Sequence, residues 1–153
     1  MNNPLTVTRA VPSDHAALTD LMRQSKAHWG YSPGQMKQWE KELTVTADYI
    51  AENEVHKATQ GKNMVGFYAY YGLDDTTVKL DSLFILPEQM GQGIGRWLLH
   101  QFFDQVRQGG FTEVILYSDP NAEGFYWRLG FNVIGRQPTS IEGRYLPIMK
   151  KQL

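Results

Sequence analysis

VKLDSLFILPEQMGQGIGRWLLHQFF, residues 78–103, reads as a strand, a glycine loop and a long helix. Val78 to Leu86 is apolar except at Lys79, Asp81 and Ser82, the pattern of a mostly buried strand. Pro87 ends it, because proline has no N–H for a ladder. Gly91, Gly93 and Gly95 then place three residues without a Cβ in a stretch of five. From Ile94 the period turns helical, with Ile94, Leu98 and Phe102 in one row and Leu99, Phe103 and Val106 in the next. Gly109 and Gly110 supply the stop.

A glycine loop feeding a helix start is suited to an anion. The first-turn N–H groups lack intrahelical acceptors, the helix dipole is positive there, and glycine lets a phosphate approach the backbone. Arg96, in the first turn, adds a charged donor. The plain alternative is a tight turn without a ligand, which one glycine would satisfy. The P-loop pattern Gly-x-x-x-x-Gly-Lys-Ser/Thr does not occur here. The dinucleotide pattern Gly-x-Gly-x-x-Gly also fails, since its third glycine falls on Arg96 or Leu98.

Leu83-Phe84-Ile85-Leu86-Pro87-Glu88 followed by Gly91-Gln92-Gly93-Ile94-Gly95-Arg96 resembles the acetyl-CoA-binding segment of the GNAT N-acetyltransferase superfamily. Met90 stands where that family usually has Arg or Gln. A second stretch, Asn121 to Phe131 (NAEGFYWRLGF), is similar to the family's Asn…Tyr-x-x-x-Gly-Phe motif, with a shorter distance from Asn121 to Tyr126. The likeness covers most of the chain and is weakest from Gly30 to Lys62. It implies a mixed α/β GNAT fold: a six- to seven-stranded sheet, splayed central parallel strands and flanking helices.

Composition sets outer bounds. The chain has 153 residues and a formal charge of −1. A single domain over 1–153 is expected, with neither a nucleic-acid nor a membrane partner. Without cysteine there is no disulfide, thiolate metal site or acyl-cysteine intermediate. The four histidines are scattered, so no metal site is expected. Met1 to Arg9 lacks a signal-like apolar run, and no stretch approaches the ~20 apolar residues of a membrane span. A cytoplasmic protein is the default expectation, and a homodimer stays open.

Along the chain, Leu5 to Val11 alternates as a strand. Ser13 is the expected cap of a helix reaching Ala27. His28 to Gly34 breaks that helix, and a second runs from Pro33 to about Leu43, with Met36 and Trp39 inward. Thr46 to Ala51 forms a helical turn. Glu54 to Thr59 and Asn63 to Tyr71 are strands joined at Gln60–Asn63. Thr112 to Ser118 is a strand parallel to that of Val78, reached through the central helix. Ala122 to Leu129 is a short helix closed by Gly130, and Asn132 to Arg136 and Arg144 to Lys150 are the last strands.

The resemblance also implies roles. Gly91, Gln92, Gly93, Ile94, Gly95 and Arg96 would hold the pyrophosphate of acetyl-CoA, and Leu83, Phe84 and Ile85 its pantetheine arm beside a bulge. Asn121 would touch the cofactor, although it also suits a helix cap. His28, Trp29 and Tyr31 would contact the acceptor, or else pack their loop on the sheet. Aromatic rings can hold a cationic amine by cation–π attraction.

Acyl transfer to an amine needs a neutral amine, donors for the carbonyl oxygen and a proton for the leaving thiolate. A phenol, with an ordinary pKa of about 10, is neutral at pH 7 and can protonate a thiolate, whose thiol has about 8.5. That is the role Tyr126 would take. Asp81 is a candidate base, since a buried carboxylate can be raised towards neutrality; it equally suits a substrate anchor or a solvated strand position. His28 is a second candidate base. The expected activity is acetyl transfer from acetyl-CoA to a small amine. A protein or peptide acceptor and a non-catalytic CoA- or metabolite-binding module are the alternatives.

Overall fold

The computed structural model describes residues 4–153. Positions 1–3, part of the stretch read for an apolar N-terminal run, lie outside the described residues. The chain forms two compact units. One holds residues up to Ala69 together with Ser82–Gln101, the other Tyr70–Asp81 and Phe102–Leu153. Numbering strands along the chain, their hydrogen-bonded order is β1-β2-β3-β4-β5-β7-β6, a seven-stranded mixed sheet with flanking helices, as the fold class anticipated.

In the first unit β1 (Leu5–Arg9) runs antiparallel to β2 (Glu54–Gln60), with Leu5 opposite Gln60 and Arg9 opposite His56. Helix α1 (His15–Ala27) buries Leu18, Leu21 and Met22 against Val55, Phe67 and Ala69. Ser13 does not cap it. A 3-10 turn over Pro12–Asp14 precedes the helix, and Asp14 Oδ2 reaches back to accept from the Val11 N–H at 2.9 Å. The longer carboxylate arm spans the turn that the Ser13 hydroxyl was expected to close.

Helix α2 (Pro33–Gln38) starts at Ser32, whose Oγ accepts from the Gln35 N–H at 3.1 Å. It stops short of Leu43. Arg23 takes the Leu43 carbonyl at 3.0 Å and the Glu40 carbonyl at 3.1 Å, giving both groups partners outside a helix. Thr46 caps the short α3 (Ala47–Glu52).

Strand β3 (Asn63–Gly72) is buried on both faces from Val65 to Tyr70, as a central strand must be. Strand β4 (Thr77–Ile85) passes close to it at Gly66. A Cβ there would sit 2.7 Å from Ile85 Cδ1 and 2.8 Å from the Phe84 carbonyl oxygen. The Leu86 N–H then donates to the Val65 carbonyl at 2.9 Å. Gly66→Ala is therefore expected to destabilise by about 1–3 kcal/mol, because a backbone oxygen cannot move aside as a side chain would. A thermal melt showing an unchanged midpoint would refute this close approach.

In the second unit Thr77–Leu80 of β4 pairs in parallel with Glu113–Leu116 of β5 (Glu113–Tyr117). The ladder covers only that stretch, while β4 itself runs on to Ile85. β5 is antiparallel to β7 (Tyr145–Gln152), which pairs with β6 (Asn132–Pro138). Helix α4 (Ile94–Gln108) connects β4 to β5, and its expected apolar rows are buried. Phe102 meets Tyr70 at 5.2 Å between ring centres, and Phe103 meets Phe131 at 6.0 Å. The helix ends as the glycines require: Gly110 has φ +87°, and the Phe111 N–H returns to the Val106 carbonyl at 3.0 Å. No helix among the described residues is long and apolar enough to cross a membrane.

Candidate functional site

The loop after β4 is shaped by its glycines. Pro87–Gln89 makes one 3-10 turn, and Gly91 and Gly93 follow with φ +79° and +81°. Nothing lies within 4 Å of where a Cβ on either would stand, so both face open space. The first helical bond of α4 runs from the Trp97 N–H to the Gly93 carbonyl at 3.0 Å. The N–H groups of Ile94, Gly95 and Arg96 therefore belong to the first turn, which offers donors without intrahelical acceptors. Ile94 is buried and anchors the turn, whereas Arg96 is exposed. The Gln92 side chain braces the loop instead of reaching outward: its Nε2 donates to the Glu88 carbonyl at 3.1 Å. Leading into the loop, Leu83 and Phe84 are half-buried and Ile85 is buried, with the Phe84 ring 5.7 Å from that of Phe67. An anion with an extended, partly apolar arm fits such a surface. The first turn of the helix offers backbone donors, and the strand end offers side-chain carbon.

The acceptor candidates lie between α1 and α2. His28 and Trp29 are exposed and meet edge to face at 5.4 Å. Tyr31 meets Trp39 edge to face at 4.8 Å. The rings of this second pair already hold a cation: Lys26 Nζ lies 5.1 Å from the Tyr31 ring centre and 5.0 Å from that of Trp39. A lysine in the last turn of α1 gives no sign of this in the sequence, because Trp39 is distant along the chain.

The second unit holds the remaining candidates. Tyr126 is buried on α5 (Glu123–Arg128), with its ring against Phe131 at 5.5 Å and Phe125 at 5.2 Å. Gly130, φ +97°, turns the chain out of α5, and the Phe131 N–H closes on the Tyr126 carbonyl at 3.1 Å. Burial raises the Tyr126 phenol far above its ordinary value, and the Asp119 carboxylate adds to the effect. The phenol is thus held in its protonated form.

Asp119, which is not among the expected site residues, organises this region. Its Oδ1 accepts from both the backbone N–H and the side-chain amide of Asn121, each at 2.9 Å. Arg144 Nη2 lies 3.6 Å from its other oxygen. Asn121 is therefore not the cap, which is Asp119. Asp-Pro-Asn is the signal that could have found it, since an aspartate before proline readily closes such a turn.

Asp81 occupies an exposed strand position. Its Oδ1 is 3.7 Å from Lys79 Nζ, which also lies 4.5 Å from the Tyr117 ring centre and 5.8 Å from that of Tyr71. The burial that a carboxylate base would need is missing there, whereas an ammonium partner is present.

Residues 18–153 match the family model for the acetyltransferase (GNAT) domain. The peptidyl-lysine N-acetyltransferase YjaB of Salmonella typhimurium is 30% identical over 106 residues, which are 69% of this chain and 68% of that protein. The uncharacterized N-acetyltransferase ycf52 of Pyropia yezoensis is 25% identical over 91 residues, 60% of this chain and 51% of its own length. The chain thus spans about half the length of that curated relative. Among solved structures, the PaiA N-acetyltransferase of Thermoplasma acidophilum in complex with coenzyme A shares the fold. Its TM-score is 0.80 at 20% identity, covering 98% of this chain and 99% of that one.

Proposed function

Since the chain belongs to the GNAT acetyltransferase family, we propose that it transfers the acetyl group of acetyl-CoA directly to an amine, in a small molecule. The observation that carries this reading is the glycine loop. Gly91 and Gly93 take left-handed conformations and face open space beside the amino end of a 15-residue helix. The pyrophosphate would rest on the backbone from Gly91 to Gly95, with Arg96 as a charged donor. The pantetheine amides would pair with backbone groups of Leu83 to Ile85. When bound, acetyl-CoA supplies a thioester whose carbonyl carbon the amine attacks.

Tyr126 would give its hydroxyl proton to the departing thiolate sulfur. A neutral phenol is the correct form for that step, and burial favours it. Asp81 we assign to holding the acceptor's ammonium rather than to taking its proton, because the carboxylate is exposed and already faces an ammonium. The proton would then leave through water. Asp81→Asn is expected to raise the acceptor KM about tenfold, the scale of a charge-assisted contact, with kcat within about threefold. A fall in kcat at constant KM would instead make Asp81 the base.

The relation to YjaB gives weight to a lysine side chain as a second kind of acceptor. A panel of small amines and lysine peptides, followed by thiol release from acetyl-CoA, separates the two. The transferase reading fails if no member releases thiol faster than acetyl-CoA hydrolyses alone.

A further inference from the structure

We propose that Tyr31 and Trp39 form a cation subsite that Lys26 fills in the resting protein, and that the second ammonium of a diamine-like acceptor takes its place. As an acceptor subsite this rests on the transferase reading above; as a site for organic cations it does not.

The ring pair does not need Lys26 in order to form. Arg23, one helical turn earlier, pins the segment that carries Trp39 to α1: its Nε donates to the Leu43 carbonyl at 3.0 Å, and its Nη2 to the Glu40 carbonyl at 3.1 Å and to Thr44 Oγ1 at 2.8 Å. Trp39 also packs against the apolar core of this unit. Tyr31 immediately precedes Ser32, whose cap on α2 fixes the direction of the loop. The rings therefore stay edge to face at 4.8 Å on their own scaffold. Lys26 brings to them an ammonium at the end of a flexible stem.

Lys26, Tyr31 and Trp39 are all half-buried, so the cation is screened from water without being sealed off. An alkylammonium from solution has the same chemistry as the Lys26 head group. It meets the same ring faces and competes there with the Lys26 head group. The amine that attacks a thioester must be neutral, so the cation held here is a different group of the same acceptor. The favoured class is an amine with a second, protonated nitrogen: a small diamine, or a lysine residue beside another basic group.

The direct test titrates tetramethylammonium chloride into the wild type and Lys26→Met, following the Trp39 indole N–H resonance, assigned with Trp39→Phe. Lys26→Gln serves in its place if the methionine variant does not fold. The open subsite should bind the probe about threefold or more tightly than the wild type, as expected for removing a competing cation. A folded Lys26 variant whose Trp39 resonance shows no saturable shift overturns the proposal.

A kinetic arm identifies the source of the ammonium. Under this proposal KM for cadaverine, or for a peptide with two lysines, falls in Lys26→Met while KM for butylamine stays constant. The acceptor whose KM falls is the kind that uses the subsite. A rise in KM for all of them would make Lys26 a structural clamp and overturn the acceptor role. If no amine is acetylated by the wild type, the transferase reading fails, and the titration still decides the cation site.

Discussion

Gly93→Asp is expected to abolish acetyl-CoA binding without unfolding the protein. Position 93 has φ +81° and open space where the Cβ would go, so no clash arises. Aspartate is among the residues that tolerate the left-handed region, and its strain there is about 1–2 kcal/mol at most. The new carboxylate would stand one residue before the first helical position, where the proposed pyrophosphate needs bare N–H groups. Two like charges at that distance, together with a filled approach path, should weaken binding at least about a hundredfold, or about 2.7 kcal/mol. Calorimetric titration of folded wild type and variant measures this directly. Equal affinities would move the cofactor away from the loop, and no binding to wild type at millimolar acetyl-CoA would leave the loop as a site for another anion or as a turn.

The second large effect is expected from Tyr126→Phe. The ring stays packed between Phe125 and Phe131, and only the hydroxyl is removed. Loss of a general acid should lower kcat about 10²–10⁴-fold, with little change in acetyl-CoA affinity. Unchanged kcat for an acetylated amine would remove Tyr126 from the proton transfer.

The same variant carries a signature in stability. Burial raises the phenol's pKa above that of the unfolded chain, so folding favours the neutral form. The contribution to stability is intact below pH ~10 and is lost as pH rises further, because the unfolded chain ionises first. Phenylalanine cannot ionise. Between pH 8 and pH 11 the midpoint of Tyr126→Phe should therefore drop less than that of the wild type. Parallel curves would mean that the Tyr126 hydroxyl is not held neutral by its surroundings.

Local chemistry makes much of this molecule legible in its residues alone. Helix α4, its glycine stop and the strand ending at Pro87 follow from periodicity and from residues with restricted or unusual backbones. The crossover from β4 to β5 follows from chain handedness. What stays hidden depends on residues far apart in the chain. Arg23 shortens α2 by binding carbonyls about 20 positions away, and no helix propensity contains that information. Lys26 meets Trp39 only because the loop between them folds back. The exposure of Asp81 is likewise invisible, since a few polar positions within an otherwise apolar strand suggest burial as readily as a rim.

The pairing of β1 with β2 has a consequence for synthesis. Leu5 finds its partner only at Gln60. At about 5–20 residues per second, roughly 3–11 s pass between the two leaving the peptidyl-transferase centre. During that interval α1 is present without the strands that cover Leu18, Leu21 and Met22. Val55 and Phe67, which close over them, are themselves made late in that interval or after it. The apolar face of α1 is therefore made seconds before its partners and stays uncovered until β3 follows it out of the ribosome.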